Sequence, residues 1–129
     1  MNVGDIFVWE TDRAIGYDSR RKFQVFVCPG DWWRDNTFLF INSKGYHGDC
    51  AIQQAVYSFL SYDSFVSCGS VVCYSDDELK AASPRFVGRL SAGDIRAIHA
   101  AILASERMEK RHIKRVCNAL RAAFPIETS

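Results

Sequence analysis

No apolar run in this sequence approaches the roughly 20 residues that a bilayer-spanning helix requires. The N-terminal stretch MNVGDIFVWETDR is acidic and strand-like, where a targeting segment would be basic and then hydrophobic. Together these absences predict a cytoplasmic chain with no membrane partner. The five cysteines form neither an even set nor a C-x-x-C pair, which speaks against a disulfide framework or a zinc ribbon. Most lie in apolar runs such as FQVFVCP and SCGSVVCY and read as small core hydrophobes in a reducing compartment. Charge of one sign is also scarce. The net charge of +1 divides into nine Lys/Arg against eleven Asp/Glu over residues 1–90 and seven against four over 91–129. Such a mild basic bias falls short of a strong non-specific nucleic-acid binder. With no internal repeat, low-complexity tract or linker, residues 1–129 read as a single domain long enough to bury a core without staples.

What is present is a strand-rich first half. GDIFVWE alternates from Ile6 onward, and in KFQVFVCP Phe23, Val25 and Val27 share a face after a charged connection. Pro29, Gly30 and Asp31 mark a turn, FLFINS is a third strand and CAIQ a short fourth. SFVSCGSVVCY, residues 64–74, is β-branched and aromatic with Gly69 in its middle, the pattern of a bulge or sharp bend in a curved strand. Several short, bent strands fit a small barrel better than a flat sheet. After Pro84, FVGRL is a short strand candidate. Ser91 then caps a helix with Asp94 at its third position. Ile95, Ile98 and Ile102 form one stripe, and Ile113, Val116, Leu120 and Phe124 form a second, shifted one. The shift predicts two helices, about 92–104 and 106–124, after a barrel of about residues 1–90.

The order GDIFVW, a charged loop, RRKFQVFV, FLFINS, DSFVSCGSV and GRLSAGDIRAIHAAI resembles the MazF/PemK-like toxin family over roughly residues 3–104. That resemblance implies an α+β fold: a small SH3-like β-barrel, here followed by C-terminal helices. It also implies a toxin-like endoribonuclease of a toxin–antitoxin pair. Such an enzyme cleaves single-stranded RNA as a homodimer, uses no metal or other cofactor, and is inhibited by an antitoxin protein. Members place an Arg at the start of the second long strand and a Thr or Ser at the end of the third. The matching positions are Arg20 or Arg21, and Ser43. Members usually have Pro directly after that Arg, where this chain has Lys22 and Phe23.

Metal-free RNA cleavage needs a base for the ribose 2′-OH, cationic donors for the phosphorane and an acid for the leaving 5′-oxygen. Arg20 or Arg21 suits the charge-stabilising role through paired N–H donors, or else is a solvated loop charge. Ser43 offers a hydroxyl to phosphate or 2′-OH, or simply ends a strand. Supporting candidates are Lys44 for electrostatic attraction, His47 as a proton carrier, and Asp63 and Ser64 at the entry to the bent strand; each also has a plain turn reading. His99 reads as a helix-flank residue and His112 as solvent-facing. Tyr17, Trp32, Trp33 and Tyr46 are candidate RNA-binding residues, because aromatics near the Arg pair would stack bases. Trp9 and one of Trp32 and Trp33 read equally as core. Arg107, Lys110, Arg111, Lys114 and Arg115 form a basic helix face, either an RNA track or a solvated surface. The alternative function is a non-catalytic SH3-like barrel module that binds a protein or nucleic acid. Convergence of Arg20, Arg21 and Ser43 in one concave site favours the enzyme, whereas their pointing apart together with an exposed apolar patch of tryptophans favours the binder.

Overall fold

A computed structural model describes residues 1–13 and 20–126. In chain order the elements are β1 (Asp5–Thr11), β2 (Arg20–Cys28), β3 (Asn36–Asn42), β4 (Cys50–Ile52), β5 (Ser64–Val66), β6 (Val72–Tyr74), α1 (Asp76–Ala82), β7 (Arg85–Arg89), α2 (Ala92–Leu103) and α3 (Lys110–Ala123). The class is α+β. An antiparallel seven-stranded sheet runs β4-β5-β3-β2-β1-β7, with β6 also paired to β3, and it curls into a half-barrel. Among the described residues, no helix is long and apolar enough to cross a membrane.

Cross-strand partners share a face of a sheet, so the register sorts the core. Ile6↔Val25, Val25↔Leu39, Phe23↔Ile41 and Ile41↔Val66 place one apolar set on the concave side. The isoleucine stripe of α2 (Ile95, Ile98, Ile102) and Val116 and Leu120 of α3 cover it, each of these five at most 1% exposed. The other side carries a smaller aromatic cluster of Phe7, Trp9, Phe26, Phe38 and Tyr74 under Leu79 of α1. Trp9 meets Phe38 and Tyr74 edge-on, each with ring centroids 5.1 Å apart, the arrangement the ring quadrupole favours. The buried Tyr74 hydroxyl donates to Gln24 Oε1 at 2.9 Å, which leaves the Thr11 hydroxyl to donate to Tyr74, also at 2.9 Å.

The curl originates at β3, whose outer edge is shared. Ile41 and Asn42 pair with β5, while Asn36, Thr37 and Phe38 pair with β6. Between these ladders, the five residues from Ser67 to Val71 oppose only Leu39 and Phe40. The bend expected at Gly69 is this bulge, and it turns the sheet sharply. Asp49, its side chain 1% exposed, fastens the bulge: Oδ1 accepts from the Cys68 amide at 3.0 Å and from Arg107 Nη2 at 3.2 Å, and Oδ2 accepts from the Tyr46 amide at 2.9 Å. Gly69 leaves room for the Arg107 guanidinium, whose carbon a Cβ there would approach to 2.3 Å, so a side chain at 69 would push Arg107 aside.

The helices depart from the sequence expectation in three places. Both C-terminal helices are shorter, with a connection at 104–109. α1 was not anticipated, although Ser75 and Glu78 form a capping box, a pattern readable as S-x-x-E. Ser91 does cap α2, accepting from the Asp94 amide at 3.1 Å, while the Asp94 carboxylate also takes the Tyr57 hydroxyl at 2.5 Å. His99 is buried rather than flanking, because α3 packs over it and Arg121 Nη1 donates to its Nε2 at 2.9 Å. Cys28, Cys68 and Cys117 are buried, Cys50 and Cys73 half-buried, and all five are free thiols. Asp49→Asn keeps the volume but removes the charge and one acceptor, and should lower stability by about 1–3 kcal/mol in urea unfolding, with Arg107→Ala losing less because that side chain is half exposed.

Candidate functional site

In an antiparallel hairpin the first residues of one strand meet the last residues of the next. Extending the Phe23↔Ile41 register by one and two residues sets Lys22 against Asn42 and Arg21 against Ser43. Extending Asn42↔Phe65 by one sets Ser43 against Ser64. Arg21, Ser43 and Ser64 therefore form a cross-strand row on the concave side, at the rim of the main core. Arg20 and Lys22 alternate with Arg21 along the strand and line the same recess at the strand ends. Strand twist and the segment carrying Ser61 and Tyr62 close these rows into a cleft of about 260 Å³, lined by Arg20, Arg21, Lys22, Asn42, Ser43, Ser61, Tyr62 and Ser64.

Electrostatics give the cleft its character. Among the described lining residues, three cations stand beside four hydroxyls and one amide, with no carboxylate or imidazole. Lys22 Nζ donates to Asn42 Oδ1 at 2.5 Å and lies 5.2 Å from the Phe40 ring centroid. Burial, and then the charge of Arg20, pull the Lys22 ammonium below the ordinary lysine range. Ser64 is buried and donates to the Tyr62 carbonyl at 3.0 Å, which fixes the wall beside Ser43. A small cavity of this composition suits one anionic oxygen cluster flanked by hydroxyl groups, as in a phosphodiester and its ribose.

Of the sequence candidates, Arg20, Arg21, Ser43 and Ser64 come together, and the other described ones stand elsewhere. Lys44 is exposed in the following turn and does not line the cleft. Asp63 is spent on the backbone, accepting from the Gln54 amide at 2.9 Å. His47 and Tyr46 line a separate hollow with Arg107, where the His47 carbonyl accepts from Arg107 Nη2 at 3.1 Å. Trp32 and Trp33 sit in the β2–β3 turn, at the far end of the hairpin, roughly 25 Å from the cleft by strand rise. Neither tryptophan is core: they are 85% and 63% exposed, because the segment is a tight Asp31–Arg34 turn rather than a strand with opposed faces. Tyr17 lies outside the described residues. The cleft residues not singled out from sequence are Lys22, Asn42, Ser61 and Tyr62. Lys22 and Asn42 were within reach, since RRK opens one strand of the hairpin and INS closes the other.

Compared with known proteins, the sequence matches no family model and no curated protein.

The lowered Lys22 value has a defined sign. The folded state holds this proton less tightly than the unfolded chain, so stability rises with pH between the folded value and the ordinary lysine value of about 10.4. Nitrogen-detected titration of lysine side chains should show Lys22 deprotonating below the ordinary lysine value of about 10.4. Arg20→Ala should move it back upward by removing the repulsive neighbour.

Proposed function

We propose that the protein is a toxin-like endoribonuclease of MazF/PemK-like type, an SH3-like barrel acting on single-stranded RNA without a metal and held silent by an antitoxin protein. The observation that carries this reading is the convergence of Arg20, Arg21 and Ser43 in one cleft, the arrangement that cleavage through the 2′-OH requires. The curled antiparallel sheet with helices after its last strand also supports it. Arg21 and Arg20 donate to the non-bridging phosphate oxygens and stabilise the added charge of the phosphorane. The Ser43 hydroxyl orients the attacking 2′-OH. Lys22, whose neutral form is made more accessible by burial and Arg20, takes the 2′-OH proton. The new bond joins the 2′-oxygen to phosphorus, the bond to the 5′-oxygen breaks, and the Tyr62 hydroxyl protonates that leaving oxygen. The products are a 2′,3′-cyclic phosphate and a 5′-hydroxyl end. In this reading the working unit is a homodimer.

One observation favours a second reading. Among the described residues, the cleft lining holds neither carboxylate nor imidazole, the commonest proton carriers, as expected of a barrel module that binds a phosphorylated or nucleic-acid ligand without cutting it.

Incubating the protein with long single-stranded RNA in EDTA and mapping new 5′ ends decides between them. The enzyme should cut at preferred sequences and leave 5′-hydroxyl ends. Arg21→Ala should lower the rate about 10²–10³-fold, the usual cost of removing one transition-state donor. Lys22→Arg should shift the pH–rate profile to higher pH. Intact RNA with folded protein would end the ribonuclease reading in favour of the binding module.

A further inference from the structure

A second surface, independent of the cleft, combines aromatic rings and cations. Trp32 and Trp33 project from the β2–β3 turn with ring centroids 4.3 Å apart, tilted by 51°. The turn beneath them is braced. The Asp31 carboxylate accepts from the Trp33 amide at 3.2 Å and from Arg34 Nε and Nη2 at 3.1 and 2.7 Å, while Asp31 and Arg34 also exchange backbone bonds. Such a turn holds two large apolar rings in water with no gain to the fold, and fixed exposed aromatics of this kind mark a contact surface.

Arg34 belongs to both this turn and the groove beside it. Its guanidinium carbon lies 5.7 Å from the Trp33 ring centroid, and the side chain also lines a groove of about 460 Å³ against α3, with Asp35, Arg111, His112, Lys114 and Arg115. Arg115 fastens the helix there, Nη2 donating to the Pro29 carbonyl at 3.3 Å and Nη1 to Thr37 Oγ1 at 3.4 Å. Asp31 is engaged by Arg34 and Glu109 by Arg111, so Asp35 is the acid left in a groove lined by four permanent cations. His112, expected to face solvent, is half-buried in this groove and its Nδ1 has no partner among the described residues. Burial, and next the Arg111 charge, lower its proton affinity.

We propose that this surface binds single-stranded nucleic acid, with bases stacking on Trp32 and Trp33 and the backbone following Arg34, Arg111 and Lys114. A cationic groove that tracks phosphates beside aromatic stacking platforms is the general construction of single-strand binders. A duplex keeps its base faces stacked internally and offers nothing to the tryptophans. An acidic peptide would satisfy the groove but leave the rings without a planar partner. The surface stands at the opposite end of the β2–β3 hairpin from Arg21 and Ser43, so its binding does not depend on cleavage.

The test uses fluorescently labelled dT and 2′-O-methyl-U oligomers of about twelve nucleotides, neither of which has a free 2′-OH to be cleaved. Binding is read by anisotropy and by quenching of tryptophan fluorescence. At low salt at least one oligomer should bind, and affinity should fall steeply between about 50 and 200 mM salt. Trp32→Ala/Trp33→Ala should weaken binding about tenfold or more, and Arg111→Glu/Lys114→Glu should weaken it and flatten the salt dependence. Lys80→Ala, an exposed change on α1 outside both the groove and the cleft, should leave it unchanged. All substituted side chains are exposed, and circular dichroism verifies the fold. The proposal is overturned if neither oligomer binds the folded protein, if the tryptophan pair can be removed without loss, or if duplex DNA or polyglutamate binds as tightly.

Discussion

The carboxylate of Asp49 holds the molecule's most irregular point. It is almost wholly buried and takes the Cys68 amide, the Tyr46 amide and the Arg107 guanidinium. Those groups belong to the bulged strand, to the turn after β3 and to the connection between α2 and α3. A bulge leaves backbone groups without ladder partners, and a buried unpaired amide is costly. A carboxylate with two acceptor oxygens answers two amides and still engages a cation. With the bulge pinned, β5 and β6 pair with different halves of β3, the sheet curls, and the concave face can receive both helices.

That curl also shapes the cleft. On a flat sheet, the row formed by Arg21, Ser43 and Ser64 would lie open to water. Bending β5 toward β2 around β3 brings the Ser61–Ser64 segment over the row and makes a recess. Crowding then does the electrostatic work. Lys22 is half-buried beside Arg20 and Phe40, so its charged form is disfavoured while Asn42 holds its hydrogen-bonding direction. The smaller aromatic cluster on the convex side stiffens the same strands from behind, through the Thr11–Tyr74–Gln24 hydroxyl relay and the edge-on contacts of Trp9.

The β2–β3 hairpin thus acts as a beam with chemistry at both ends. One end gathers hydroxyls and cations in a recess. The other presents two tryptophans beside the basic groove of α3. These ends differ in kind: the recess has the size of a single phosphodiester unit, while the turn and groove form an open, extended surface. A flexible polyanion could engage both ends, whereas a compact ligand could engage only one.

Sequence alone determined the elements whose signal is local. Period-two alternation fixed β1, β2 and β3, the isoleucine stripe fixed α2, Ser91 fixed its start, and Gly69 marked the bend. The cleft was partly legible for the same reason: Arg20, Arg21 and Ser43 sit where two adjacent strands of a hairpin begin and end. Tertiary structure decided what depends on partners distant in sequence. Asp49 finds Arg107 across the bulge, Asp63 is taken up by the Gln54 amide, and His99 is buried by α3 and Arg121. One of Trp32 and Trp33 reads as core only if the segment is extended, where alternation sets adjacent side chains on opposite faces, and a two-residue turn freed both rings for the surface. The joining of those rings to the basic helix face through Arg34 and Arg115 was likewise beyond sequence, because it depends on how α3 docks, and docking is set by the packed core rather than by any local pattern.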